Sequence, residues 1–279
     1  PSSIIGEVKG DGMVSVYEEG VLKADVPAES LVLGGGAPVY TRETRVPEYI
    51  GTARAFDVRT IPVPADLNDV LLKLLGSTLI ASKRWVFQQY DSMVRTNSLV
   101  VSGGDAAVMR VKGTKKGLAM TTDCNARYVY LNPRRGGEIA VAEASRNVVC
   151  SGAYPIAITN CLNFGNPYDP EVFWQFTEAV AGIGEACRKL GTPVTGGNVS
   201  FYNESPEQAV FPTPVIGMLG LIDDIGLTVG PAFKEPGDAI MLLGRPRGEI
   251  GGSEYLYQLT GAIVGDAPML DLDYESRLQ

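Results

Sequence analysis

Between Thr121 and Ser205 three polar stretches each close an apolar run: Thr-Thr-Asp-Cys-Asn (121–125), Asn-Cys-Leu-Asn-Phe-Gly-Asn-Pro (160–167) and Thr-Gly-Gly-Asn-Val-Ser (195–200). Two helix-like segments lie between them. Short branched runs that alternate with helical periodicity restrict the chain to an α/β architecture, with its polar turns gathered at strand ends. Strands are predicted over 105–111, 118–122, 154–159 and 215–222, and a helix over 138–150. A second helix over 169–190 carries full punctuation. Asp169 can cap it, Pro170 suits its first turn, Arg188 and Lys189 sit in its last turn, and Gly191 can take the left-handed position beyond.

The flanks are more broken. Runs 4–8 and 13–17 flank Lys9-Gly10-Asp11-Gly12, a turn with hairpin chemistry, and 21–26 is a third candidate strand before the Gly-rich break at 33–38. Residues 40–63 read as a charged, proline-punctuated connector. A helix over 66–75 places Leu67, Val70, Leu71 and Leu74 on one stripe, and another over 79–90 carries Trp85, Val86 and Phe87. Beyond Asp224 a strand is predicted at 238–243 and a helix at 253–260, followed by a polar stretch to Gln279. This organisation predicts four parts, with both ends expected to be truncated. Residues 1–50 end a preceding domain, 51–95 form a connector with helices, 96–230 form one complete α/β domain, and 236–279 begin an incomplete one.

The 279 residues suffice for one large domain or two ordinary ones. A net charge of −8 argues against nucleic acid as a partner, because that affinity needs a basic surface. No apolar run reaches the ~20 residues of a membrane helix, and Pro-Ser-Ser-Ile-Ile-Gly lacks the basic and apolar regions of a signal peptide. Neither a membrane nor a nucleic-acid partner is expected, and the expected location is cytoplasmic. Cys124, Cys150, Cys161 and Cys187 show no Cys-x-x-Cys spacing and read as reduced residues. Histidine is absent, which removes Ser-His-Asp and Cys-His catalysis and any histidine metal site from this chain.

The remaining chemistry is that of carboxylates, amides and backbone. Glu143 and Asn147 stand four apart on a predicted helix, so they share a face. Taken alone, such a pair is an ordinary solvated face. Asp123, at a strand end just before that helix, adds a third oxygen donor, and the set suits a partly hydrated Mg²⁺ that also holds nucleotide phosphates. Gly196-Gly197-Asn198 reads as a turn whose N–H groups can meet an anion, with Ser200 on the same side as Asn198 if the strand is extended. Asp105, in Gly103-Gly104-Asp105, reads equally as a cation ligand or a strand-initiating turn residue. Lys83, Arg84, Lys115 and Lys116 read mostly as solvated surface. No Walker loop and no G-x-G-x-x-G fingerprint is present, so a nucleotide site here belongs to another architecture.

Several of these segments resemble one family. They are Ser-Lys-Arg-Trp-Val (82–86), Tyr-Asp-Ser-Met-Val-Arg-Thr-Asn (90–97), Gly-Asp-Ala-Ala-Val (104–108), the 121–125 stretch, Ala-Val-Ala-Glu-Ala-Ser-Arg-Asn-Val-Val-Cys-Ser-Gly (140–152), Cys-Leu-Asn-Phe-Gly-Asn-Pro (161–167), Gly-Asn-Val-Ser (197–200) and Gly-Asp-Ala-Pro (265–268). Together they resemble the large, PurL-type subunit of phosphoribosylformylglycinamidine synthase, within the aminoimidazole ribonucleotide synthetase superfamily. The resemblance implies an α/β (α+β) fold: a PurM-like N-terminal-type domain with a mixed sheet and packed helices, flanked by partial PurM C-terminal-type domains. It also implies an ATP-dependent ligase of purine biosynthesis with ATP and Mg²⁺ as cofactors. The family phosphorylates the formamide oxygen of formylglycinamide ribonucleotide, and ammonia from a glutaminase subunit or domain then displaces phosphate.

Carried over by position, Asn160 and Gly197 resemble ATP contacts, Asn198 a Mg²⁺ ligand and Ser200 a substrate contact. Asp123, Glu143 and Asn147 match magnesium positions of the longer members. Many relatives have Asp where this chain has Asn160. The family's catalytic histidine and a second glycine-rich motif have no counterpart here, so no catalytic residue is assigned and the chain by itself is expected to be inactive. Two rival readings are a non-catalytic half that completes the barrel, and another superfamily activity such as selenophosphate synthesis or thiamine monophosphate phosphorylation. The partners implied are the remaining domains of the subunit and the glutaminase. A homodimer is expected through the exposed sheet edge of the 105–125 and 211–222 strands.

Overall fold

The computed structural model describes residues 3–31 and 40–279, so the predicted break at 33–38 lies outside the described residues. The chain forms two compact units, Pro1–Arg42 and Glu43–Gln279. The first contains a hairpin of β1 (Met13–Glu18) and β2 (Val21–Pro27), paired antiparallel. Its turn is Glu19-Gly20, with φ of 50° and 78°. Both residues at positive φ match the right-handed twist of a two-residue hairpin. The hairpin expected around Lys9–Gly12 is therefore displaced, and 4–8 is not a strand. Glu at the first turn position hides the signal, because Asn or Asp is the usual residue there.

The second unit opens with α1 (Glu48–Arg54), α2 (Leu67–Gly76) and the single turn α3 (Arg84–Phe87). Asp66 caps α2 by accepting from Asn68 N. Val70 and Leu74 of its predicted stripe are half-buried, whereas Leu67 and Leu71 are exposed. The helix expected over 79–90 shrinks to α3. No core covers its apolar side chains, since Trp85 is 77% exposed, and packing of an apolar face is what sustains short helices. Lys83 donates to Thr78 O at 2.8 Å, so it serves the local turn.

A six-stranded mixed sheet follows. It is built from β3 (Ser98–Val100), β4 (Ala107–Arg110), β5 (Gly117–Asp123), β6 (Tyr154–Asn163), β7 (Val194–Ser200) and β8 (Thr213–Ile222), in the order β3-β4-β5-β8-β6-β7. Only β6 and β7 pair in parallel. Such a pair needs a long crossover, which α6 (Pro170–Leu190) supplies. Asp169 caps α6 by accepting from Glu171 N, and Gly191 ends it at φ 70°. Both ends of this helix match the sequence expectation. Between β5 and β6 lie α4 (Ala126–Leu131) and α5 (Pro133–Cys150), capped by Asn125 and Asn132.

Helices α5 and α6 cover one face of the sheet. Along β8 the even positions Pro214, Ile216, Met218, Gly220 and Ile222 are buried. Ile216, Met218 and Ile222 form one core with Ala140, Ala144 and Val148 of α5 and Ala179, Ile183 and Ala186 of α6. The strict period of two is the signature of a strand with two unlike faces. Helix α5 begins five residues before its predicted start, because Gly136 and Gly137 lower the local propensity while permitting close contact. A Cβ on Gly137 would lie 2.5 Å from Ala179 O, and one on Gly182 1.9 Å from Arg134 O.

Three further corrections concern the sheet and the C-terminal region. The strands proposed for homodimerisation have no free edge: β5 lies between β4 and β8, and β8 between β5 and β6, which leaves β3 and β7 as the edges. The strand expected at 238–243 is absent, and Ile240 to Leu243 are 76–81% exposed with no neighbouring strand to pair with. The polar stretch near Gln279 instead forms α8 (Leu272–Leu278), after α7 (Glu254–Thr260). Ion pairs hold both helices to the domain. Arg127–Glu254 and Arg146–Glu275 each measure 2.6 Å, and Lys189 meets Asp273. Among the described residues no helix is long and apolar enough to cross a membrane.

Two predictions follow from the α5–α6 contact. Gly182→Ala forces the helices apart and should destabilise the domain by about 1–3 kcal/mol, the usual cost of overpacking, read as a lower urea midpoint. An unchanged midpoint would refute the close approach. Beside it, burial and a hydrogen bond to Glu185 push the Glu138 carboxyl up to about 7. The folded state therefore holds a proton that the unfolded chain releases near 4.5. The stability this contributes is complete below about 4.5 and is lost as pH rises through about 7. Glu138→Gln keeps a donor at every pH, so the decline in Tm between pH 5 and 8 should flatten in the variant. An identical slope would contradict the shared proton.

Candidate functional site

Sheet register brings the three polar stretches to one rim. Strands β5, β6 and β7 all run antiparallel to β8 or parallel to one another, so their C-terminal ends at Asp123, Asn163 and Ser200 lie at the same end of the sheet. Ile216 of β8 pairs with Asp123 on one side and Asn160 on the other, and Asn160 pairs with Gly197. Asp123, Ile216, Asn160 and Gly197 thus form one cross-strand row. Open α/β sheets bind ligands outside the carboxyl ends of their strands.

At the β6–β7 end the Gly-Gly-Asn segment is not a turn, as the sequence suggested, but extended edge strand. Gly197 is required there because a Cβ would stand 2.1 Å from Asn160 Oδ1 and 2.4 Å from Asn160 O. The Asn160 amide fills the space that any other residue at 197 would need. Asn198 is opposite Cys161, and Ser200 opposite Asn163. Alternation along β7 puts Asn198 and Ser200 on one face and Gly197 on the other. Among the described residues the outer edge of β7 has no strand partner, leaving backbone groups open to a ligand.

The second cluster lies where β5 meets α5. Asn147 Nδ2 donates to Asp123 Oδ1 at 2.8 Å, and the Thr121 hydroxyl donates to Asp123 Oδ2 at 2.7 Å. With its NH₂ turned to Asp123, Asn147 keeps its carbonyl oxygen free of that bond. Asp105, Thr121, Asp123 and Asn147 line a polar recess of about 450 Å³. Burial raises the Asp123 carboxyl above its ordinary range, against the pull of Thr121, Asn147 and Arg146. Glu143 is raised by burial and then by the charge of Asp123. It lines a neighbouring recess with Tyr128, Arg146 and Tyr274. Arg146 is also engaged by Glu275, so the two carboxylates share only part of its charge. Burial and these carboxylates push the Cys124 thiol up to about 12, which keeps it protonated and unreactive.

The eight candidate residues therefore form two groups. Asp123, Glu143, Asn147 and Asp105 gather at β5 and α5, and Asn160, Gly197, Asn198 and Ser200 at β6 and β7. At ~4.8 Å per strand, Asp123 is ~10 Å from the row position of Asn160 and ~14 Å from β7. At that separation Asp123 and Asn198 would serve different ions. Among the described residues no group of three or more His, Cys, Asp or Glu could hold a metal. An ion at Asp123 would have to complete its shell with amide, water or phosphate oxygen, the habit of Mg²⁺. Sequence reading did not single out Thr121 or Arg146; the Thr-x-Asp spacing carries the signal for the first, and nothing local marks the second.

Comparisons with known proteins give the chain its family. The family described as AIR synthase related protein, N-terminal domain, matches residues 103–222. The phosphoribosylformylglycinamidine synthase subunit PurL of Moorella thermoacetica is 54% identical over 276 residues, which cover 99% of this chain and 37% of that protein. Among solved structures, T. maritima PurL complexed with ATP has a TM-score of 0.55 at 30% identity, over 80% of this chain and 33% of that one. T. maritima PurL complexed with FGAR has a TM-score of 0.53 at 30% identity, over 79% and 32%. The chain spans a little over a third of the length of the curated relatives it matches. With the mixed sheet, its helical cover and this identity along the whole chain, the protein belongs to the PurL family of phosphoribosylformylglycinamidine synthase subunits.

Proposed function

We propose that this chain supplies one nucleotide-contacting portion of an ATP-dependent amidoligase of purine biosynthesis. The complete enzyme converts FGAR, ATP and glutamine-derived ammonia to formylglycinamidine ribonucleotide, ADP and phosphate. The observation that carries the reading is the cross-strand row, which sets Gly197 against Asn160 and leads to Asp123 at the same sheet end. A PurL structure bound to ATP and another bound to FGAR support it. In this reading Asn160 and Gly197 contact ATP, the backbone of β7 approaching it without Cβ interference. Asn198 would hold a Mg²⁺ on the phosphates and Ser200 would contact the substrate.

At the second cluster Asp123 and the Asn147 amide oxygen would hold Mg²⁺, with Asp105 and Glu143 adding negative charge around it. The donor set fits: it is all hard oxygen, and two half-buried carboxylates are incompletely balanced by Arg146. When bound, the ion supplies charge neutralisation to phosphate oxygens. Histidine is absent from the chain, so the family's histidine-dependent step belongs to the remainder of the subunit and this chain alone is inactive. A glutaminase subunit or domain provides ammonia. The four described cysteines are free, which supports a reducing cytoplasmic setting.

The uncovered sheet face supports pairing with another sheet. Leu118 faces Leu221, and Met120 faces Leu219, as half-exposed cross-strand pairs. We assign this face to the remaining domains of the subunit or, in the isolated chain, to a second copy. Self-association is thus expected through a face and not through a strand edge.

Titration calorimetry with Mg²⁺ and ATP tests the nucleotide reading. The unsubstituted chain should bind ATP. Gly197→Ala should lose at least tenfold in affinity, because the added Cβ displaces Asn160. Equal affinity in the two proteins would overturn the placement of ATP at β6–β7.

A further inference from the structure

Beyond β7 the chain makes a strained turn that nothing in the sequence singled out. Tyr202 takes φ 61°, a left-handed conformation rare for a bulky residue. Such strain persists only where surrounding contacts impose it, and it concentrates at functional sites. The contacts here belong to Asn203. Its side-chain NH₂ donates to Phe164 O at 3.0 Å and to Ser200 O at 2.7 Å, and its backbone N–H also donates to Phe164 O at 3.2 Å. Tyr202 N donates to Gly165 O, and Phe164 N to Ser200 O, which zips the 163–166 turn to the end of β7. Glu204 completes the join by accepting from Asn166 N at 3.0 Å.

The amide has two hydrogens, which three acceptors share: the two carbonyls and Ser200 Oγ at 3.1 Å. That fixes its orientation, leaving Oδ1 3.3 Å from the Ser200 hydroxyl, which can only donate to it. Both ends of the Asn203 amide thus hold the Ser200 hydroxyl, which donates to Oδ1 and accepts from Nδ2. One side chain thereby ties two rim segments together and sets the direction of the Ser200 hydroxyl.

We infer that Asn203 is a positioning residue that aims Ser200 at the ribonucleotide substrate. The inference deepens the functional reading above and rests on its assignment of Ser200. Asn203 itself touches no reacting atom; it acts through Ser200 and the 163–166 turn.

The test is a double-mutant cycle on the full chain, with FGAR titrated in the presence of Mg²⁺ and ATP. Asn203→Ala should weaken FGAR binding about tenfold, the order expected for losing a network of this size. ATP affinity should stay within about twofold of the unsubstituted chain, since Asn160 and Gly197 lie upstream of the clamp. In the Ser200→Ala background Asn203→Ala should cost less than about twofold more, because the residue acts through the missing hydroxyl. Asn203→Asp, which keeps Oδ1 but loses the donors, should behave like Asn203→Ala. Unchanged FGAR affinity, full additivity with Ser200→Ala, or parallel loss of ATP and FGAR binding would each overturn the positioning role. An unsubstituted chain that binds ATP but not FGAR would overturn the Ser200 assignment and this inference with it. A chain that binds neither would refute the functional reading itself.

Discussion

The site depends on β6 being paired along both edges. Antiparallel pairing to β8 fixes its register against the core, because one residue of slip would turn buried Ile158 and Leu162 toward the open face. Parallel pairing to β7 then transfers that register to Gly197, Asn198 and Ser200. The rim is thus set by hydrophobic packing: Ile158 and Leu162 share the face of Asn160, while Asn198 and Ser200 stand on the opposite face. Parallel pairing in turn requires the α6 crossover, and α6 packs where two glycines let it approach α5. Polar groups with no strong mutual attraction are held in line by a core that they do not join.

Electrostatics at the second cluster follow the same logic. Asp123 ends a strand and Asn147 sits mid-helix, so their hydrogen bond fastens β5 to α5 where Glu143 is also half-buried. Two carboxylates are raised by burial, and the Mg²⁺ proposed here would favour their charged forms. The helices beyond Glu249 add their own constraint. Arg127, whose guanidinium stacks 4.1 Å above the Tyr257 ring, pairs with Glu254 under substantial burial. Arg146 divides itself between the cluster and Glu275 of α8. The charge available at Asp123 and Glu143 is therefore linked to how α8 is docked.

Much of this was legible in the sequence where local chemistry and tertiary structure agree. Helix α6 was readable at both ends, since Asp169, Pro170 and Gly191 act within one turn of themselves. The α/β alternation placed β4, β5, β6 and β8, and the i, i+4 spacing put Glu143 and Asn147 together. Reading failed where the decision is long-range. β7 looked like a glycine turn because only the β6 edge makes Gly196-Gly197 extended. The apolar runs at 79–90 and 238–243 looked like structure but find little cover among the described residues, and β3 is too short to announce itself. Asn203 was invisible because its role is to accept a position between two segments 39 residues apart.

We propose that one sheet rim, formed by β5, β6 and β7, receives the nucleotide. Backbone amide shifts of the isotopically labelled chain, followed as Mg²⁺ and ATP are added, test it most directly. Perturbations should concentrate at 121–125, 160–167 and 195–203, with the groove that Val70 and Leu74 of α2 form with Tyr255 and Leu259 of α7 unmoved. Perturbations centred on that groove, or spread evenly over the chain, would contradict it.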